Sequence, residues 1–501
     1  MDAYLAAWSS PASERLFSLQ SPPTYQDLLE ENRRLKAEIA GQTVPSLSTE
    51  DVVYGEALNI TESFERELFE AVGGTSRAST VFRDDQVQWP SAECVRNLLV
   101  YGRTWTSWMH CALHHPTFEA ECHEFLEGSG RIPDPFWLAI YFSFISAALI
   151  FMNEEEAEAA GINQQTGALL LNWYDSALYF LQRADFLRRW DVRTVQATAI
   201  LGIVSINVGD SKMQSVLWAC AIRIAQFLNM GNDRAHQNES LLLRETRRRL
   251  WWTLVICEWI PIPYHAPCIS QADFQIELPA KFDDEELQSS PRQDDLPRPI
   301  QYHIVMIQLA KIYQRFRSSL NLLSGKAADI VTLVLQTDEA LAGNIAGLPP
   351  HLQFEISSSS SITPDIEKPW IQWQRINISL ILLYYRIAVN RVLQNQWVQD
   401  PTTFARTRAI CLDSARGIIS LASTCTDSLA RHRPWATSLH LFSAAIILGV
   451  EARFHADEFK QQCVQDIQFC VKFLNGVKDQ SIIATHAVQI LEEQFPDEHG
   501  I

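Results

Sequence analysis

Apolar residues along this 501-residue chain recur mostly at spacings of three and four. The strict apolar–polar alternation between turn pairs that marks β-strands is scarce. Helices are predicted at Asn172–Ala184, Val192–Val208, Arg244–Glu258, His303–Leu323, Trp370–Leu393, Phe404–Ala422, Ala436–Val450 and Glu458–Leu474. Asp191 is placed to cap the second of these and Gly209 to end it. Ser211 opens another helix, whose face carries Val216, Cys220, Ile224 and Phe227. No equal-period repeat runs through the array. The pattern predicts an all-α fold, a large array of packed antiparallel helices.

Ahead of that array the text changes three times. Residues 1–24 are rich in Ser and Pro, show no sustained period and read as a disordered tail. Residues 25–40 place Tyr25, Leu28, Asn32, Leu35 and Ile39 at alternating spacings of three and four, a short coiled-coil-like seam with Leu at d positions and Asn at an a position. The seam suits a homo- or heterodimer; two heptads are marginal alone, and a surface helix packed on its own chain is the other reading. Residues 41–86 form a polar linker with one amphipathic stretch, Thr61–Val72, whose Phe64, Leu68 and Phe69 share a face before the Gly73-Gly74 break. Residues 87–490 form the main helical domain, interrupted by two loops at Pro267–Pro299 and Pro349–Pro369.

The apolar run from Phe136 to Met152 falls short of the about 20 residues that span a bilayer and has no basic anchor close by. It is expected to be a buried core helix, with no membrane as partner. A net charge of -18 argues against a surface that coats nucleic acid, since phosphate binding needs clustered Lys and Arg. The ten cysteines never form C-x-x-C, the usage of a reduced intracellular protein rather than a disulfide or zinc framework.

Catalytic signatures are missing. The sequence has no phosphate loop, nucleophile elbow or H-E-x-x-H. The carboxylate pairs Asp84-Asp85, Asp283-Asp284 and Glu285-Glu286 fall in polar connectors, where a desolvated acid is not expected. His110, Cys111, His114, His115, Cys122 and His123 cluster within fourteen positions, but Pro116 interrupts them and the spacing fits no zinc site, so a structural role is expected. The basic run Arg244–Arg249 leads straight into an apolar helix, where arginines are expected to pair with acidic neighbours rather than with phosphate.

Together these segments resemble the fungal-specific transcription factor domain, the helical middle region of regulators that carry a six-cysteine binuclear zinc cluster. The strongest segment is Glu245–Pro279, where Arg247, Arg248, Arg249, Leu250, Trp251 and Trp252 precede a turn at Pro267 and a closing Leu278-Pro279. Leu113-His114-His115-Pro116-Thr117-Phe118 is similar to the family's Leu-His-x-Pro-Thr-Phe turn, with Leu113, His114, Pro116 and Phe118 as its signature positions, and Leu217–Gln226 resembles the helix before the arginine segment. Glu258 stands where the family usually has Asp, and His265-Ala266-Pro267 replaces Gly-Arg-Pro. The resemblance implies a nuclear regulator of pathway genes, of the kind often found in specialised metabolism, that responds to an effector or co-regulator and is not an enzyme. The first cysteine, Cys94, already lies within the helical region. Zinc is therefore expected only with a cluster encoded ahead of Met1, and otherwise promoter DNA is reached through a partner. A non-DNA-binding modulator that pairs with a zinc-cluster factor, and a helical ligand-binding protein or enzyme, are the alternatives.

Overall fold

The computed structural model describes residues 59–74, 83–128, 133–163, 165–260, 267–288, 296–323, 327–353, 368–424, 429–454 and 458–496. The dimer seam Tyr25, Leu28, Asn32, Leu35 and Ile39 lies outside them. Among the described residues the fold is all-α, and the extended backbone pairs only at one isolated bridge, Asn232 with Gln275.

Two apolar helices are the centres of the packing. Pro135–Leu149 starts where the Asp134 carboxylate caps the Phe136 amide and Pro135 fixes the first turn, and from Phe136 to Leu149 it is buried on every side. Its hydroxyls are satisfied internally, Ser143 Oγ on the Ala139 carbonyl at 2.6 Å and Ser146 Oγ on that of Ser143 at 2.8 Å. Ala92–Trp105, Thr166–Arg183 and Val192–Leu201 surround it. The second centre, Trp435–Ala452, is enclosed by Ala405–Thr424, Glu458–Val477 and Ile482–Gln494, with Trp370–Asn390 alongside. Among the described residues, two segments are long and apolar enough to cross a bilayer, Trp370–Gln399 and Trp435–Ala452, and the most apolar 18-residue stretch of each is 72% and 89% buried in this packing, as core helices are.

Polar contacts lock the two centres together. The buried Asn207 donates from Nδ2 to the Arg433 carbonyl at 2.7 Å, and its backbone carbonyl accepts the Ile482 amide at 3.1 Å. Arg433 in turn caps the end of the first centre through the Met152 carbonyl at 2.7 Å, and Arg431 reaches Glu156 at 2.6 Å.

Two details differ from the sequence pattern. The helix from Val192 ends as an α-helix at Leu201; from there to Gly209, at φ 79°, the backbone continues in turns that mix three-residue and four-residue hydrogen bonds. The amphipathic stretch in the linker forms Ile60–Gly74 and is built into the core against Trp435–Ala452 and Ile482–Gln494. Glu65, in the middle of its apolar face, is buried and accepts Arg391 on both oxygens at 2.5 and 2.7 Å, Tyr384 at 3.2 Å, and the Ser443 hydroxyl. A carboxylate among Phe64 and Leu68 reads as a polar interruption in sequence, because its partners lie more than 300 residues away.

Candidate functional site

The arginine–tryptophan segment is the helix Leu241–Trp259, capped by Ser240. Arg247, Arg248 and Arg249 are all buried. Arg247 bonds Glu239 at 2.9 Å, Asp233 at 3.0 Å and the Met230 carbonyl at 2.9 Å. Arg248 meets Asp233 at 2.8 Å, Glu245 at 3.1 Å and Glu277 at 2.8 Å. Burial pushes the Asp233 carboxyl up, but the bonds from Arg248, the Glu277 amide and Arg247 outweigh it and hold the group below its ordinary range. These guanidiniums are consumed inside the protein and offer no phosphate-binding face.

The same helix writes the path of the irregular chain that follows. Trp259 Nε1 donates to the Ile269 carbonyl at 2.9 Å, Trp252 Nε1 to that of Glu277 at 2.9 Å, and Arg249 to that of Phe282 at 2.6 Å, while Glu245 accepts the Ala280 amide at 2.7 Å. Backbone that forms no ladder is thus satisfied by helix side chains. Leu250, Trp251 and Trp252 are fully buried, and Trp251 presses so close to Gly231 that a Cβ there would sit 2.6 Å from its ring. Pro279 is buried at the end of this segment, and Pro267 is exposed at its start.

Arg249 also joins this helix to the histidine turn. Its Nη1 lies 2.6 Å from Asp284, whose other oxygen accepts the His115 amide at 2.8 Å. His114 donates from Nε2 to the Asp284 carbonyl at 2.9 Å, leaving Nδ1 to accept the Thr117 hydroxyl at 2.7 Å and its amide at 3.4 Å, so this ring is the N-cap of His115–Leu126. Pro116 fits the first turn, and Leu113 and Phe118 are buried. His114 and His115 are thus tied to Asp284, and among the described residues no group of three or more His, Cys, Asp or Glu gathers as a metal site. The acid pair at Asp283-Asp284 corrects the sequence expectation. Both are desolvated: Asp283 is raised by burial and by Glu286, whereas at Asp284 burial is overcome by Arg249 and the His115 amide, and the carboxyl is lowered. Their connector folds back under the arginine helix, which polarity alone does not reveal.

Behind the helix lies a cavity in two chambers. The larger, about 820 Å³, is bounded by Ser211–Phe227, the end of Leu241–Trp259 and Trp435, and includes Trp190, Trp218 and Phe227 in its wall. The smaller, about 150 Å³, penetrates to Tyr302, Tyr384, Tyr385, Glu65 and His440. His110, Gly202, Cys257 and Trp435 line both. His110 Nδ1 donates to the Ala199 carbonyl at 2.5 Å and Nε2 faces the Cys257 thiol at 3.8 Å; burial keeps this ring neutral, its pKa lowered, and pushes the Cys257 thiol up to about 12. The sequence showed the face of Ser211–Phe227 but not what it encloses, because the other walls come from distant segments.

The similarities to known proteins agree with this architecture. Over 378 residues the chain is 25% identical to the probable transcription factor lepB of Aspergillus flavus, covering 69% of this chain and 66% of that protein. Over 381 residues it is 21% identical to the agnestins biosynthesis cluster transcription factor AgnL11 of Paecilomyces divaricatus, covering 72% and 53%. A 146-residue stretch, 29% of this chain and 22% of the relative, is 25% identical to the aurofusarin cluster transcription factor aurR2 of Gibberella zeae. The chain thus spans less than two thirds of these relatives' lengths. A chain of the K. lactis CBF3 core superposes with a TM-score of 0.59 at 12% identity, over 87% of this chain and 92% of that one, which shows a shared helical fold. Residues 103–341, which hold the histidine turn and the arginine–tryptophan helix, match the fungal specific transcription factor domain.

Proposed function

We propose that this protein is a nuclear transcriptional regulator of pathway genes, acting on a specialised-metabolite gene cluster through its helical domain. The match over residues 103–341 carries the reading, and the cluster-specific names of two relatives support the pathway assignment. The internal use of Arg247, Arg248 and Arg249 supports a regulatory rather than a DNA-reading role for this domain. DNA contact then comes from a zinc cluster outside this sequence or from a partner held by Tyr25, Leu28, Asn32, Leu35 and Ile39.

Transcript profiling of a deletion strain complemented with the wild-type or the Leu35→Asp gene tests this. Loss of one co-regulated set of biosynthetic transcripts, restored by wild type and not by Leu35→Asp, is the expected result. Unchanged transcripts in the deletion would overturn the regulator, and full rescue by Leu35→Asp would remove the seam.

A further inference from the structure

We infer that the two-chambered cavity is a binding site for a neutral, largely aromatic small molecule that carries a hydroxyl or a similar donor–acceptor group. At about 820 Å³ the larger chamber falls in the range of about 300–1,000 Å³ that encloses drug-sized ligands. Its walls are ring faces and aliphatic groups. Trp190 and Phe227 stack at 4.2 Å and remain about half exposed, at 50% and 53%, beside Val216 at 62%, so the apolar lining is open to an entering molecule.

Polar atoms in the wall lack partners. Gln214 Oε1 and Trp218 Nε1, one turn apart on Ser211–Phe227, are buried without a hydrogen bond, and so is His440 Nδ1 in the smaller chamber. An unpaired acceptor and an unpaired donor on one helix face cost stability unless something in the cavity satisfies both. A single hydroxyl suits them: it donates to Gln214 Oε1 and accepts from Trp218 Nε1. Gly202 maintains the space between Gln214 and His110, since a Cβ there would lie 3.1 Å from Gln214 Nε2 and 3.7 Å from the His110 ring.

The charge balance selects a neutral ligand. His110 and His440 are uncharged near neutral pH, burial lowering both, and His440 to about 3. Arg223 and Glu258 on the larger chamber's lining are of opposite sign, and Glu65 in the smaller chamber is spent on Arg391. A bound molecule would touch both Ser211–Phe227 and Trp435, joining the two packing centres. Its effect on transcription rests on the function proposed above; the binding does not.

The test is a fluorescence titration of the purified full-length chain with 1-pyrenemethanol, and with 1-pyrenesulfonate as the anionic counterpart. Saturable one-to-one binding of the alcohol is expected, at least tenfold tighter than that of the sulfonate. Gln214→Met should weaken it about tenfold without lowering the denaturation midpoint of the free protein, because the exchange removes an unpaired buried acceptor. Val216→Asp, at an exposed position of the wall, should weaken it at least tenfold even if Gln214→Met fails to fold. No saturable binding of the alcohol, equal binding of the sulfonate, or affinity untouched by the variants would overturn the site. Binding as described with unchanged transcripts in the deletion strain would leave the site standing and remove the regulator; the reverse pattern would do the opposite.

Discussion

Arg249 and Asp284 tie the arginine helix to the histidine turn. Arg249 reaches a carboxylate and a backbone carbonyl at once, and Asp284 holds the arginine while its other oxygen and its own carbonyl receive the two histidines of the turn. Lys could not span both acceptors with a planar fork. Arg249→Met leaves Asp284 buried and uncompensated and should cost about 3–5 kcal/mol in urea denaturation. Paired with Asp284→Leu it should cost less than the two single losses summed, by roughly 0.5–3 kcal/mol; strictly additive losses would show that the pair is not coupled. Pro116 and the spacing led to the expectation of a structural role for the histidine cluster. That one ring is a cap, with its tautomer set by Asp284, follows only from the fold.

At the scale of elements, Ile60–Gly74 is attached to the second packing centre and its neighbours by its apolar face, by the Glu65 carboxylate and by Thr61, whose amide and hydroxyl both donate to Gln394 Oε1. Glu65 satisfies Arg391 and Tyr384 from the stretch Trp370–Gln399 and Ser443 from Trp435–Ala452. Glu65→Ala should cost about 3–5 kcal/mol, since it strands a buried guanidinium. Amide exchange over Ile60–Gly74 should then accelerate ahead of exchange in Pro135–Leu149; equal acceleration in both would mean that the helix is not a separately opening unit. The amphipathic period predicted this helix correctly, yet a linker and a core helix share that period. What distinguishes them is the partner surface, which the sequence supplies hundreds of residues later.

Across the whole molecule, burial has placed several histidines where they resist protonation. His115 and His432 are held down to about 4 and His303 and His440 to about 3, by desolvation above all. In the unfolded chain each titrates near about 6.5. Between that value and the lowered one, the unfolded state binds a proton that the folded state does not, so stability falls as pH drops, by about 1.4 kcal/mol per pH unit for each such group. Denaturation midpoints should therefore fall steadily from pH 6.5 towards pH 5, before the lowered Asp233 and Asp284 begin to protonate at still lower pH. His440→Phe should make that slope shallower by about 1.4 kcal/mol per pH unit. An unchanged slope would show that His440 is not held neutral in the fold.

The sequence by itself determined the fold class, the positions of most helices and the family signature, because helical period, caps and Pro or Gly stops are local and act within a few residues. Phe136–Met152 is a case in point: its apolar composition, short length and acidic flank specify a core helix before any neighbour is known. Only the tertiary structure decided which polar groups are consumed and which are left over. Arg247 to Arg249 are spent on acids from segments before and after them, Glu65 on Arg391, and Asp284 on Arg249, whereas Gln214 Oε1, Trp218 Nε1 and His440 Nδ1 remain unpaired around a cavity. Hydrogen bonding and desolvation depend on distances of a few ångströms between groups far apart in the chain, so this partition, and the site it leaves open, exists only once the helices have packed.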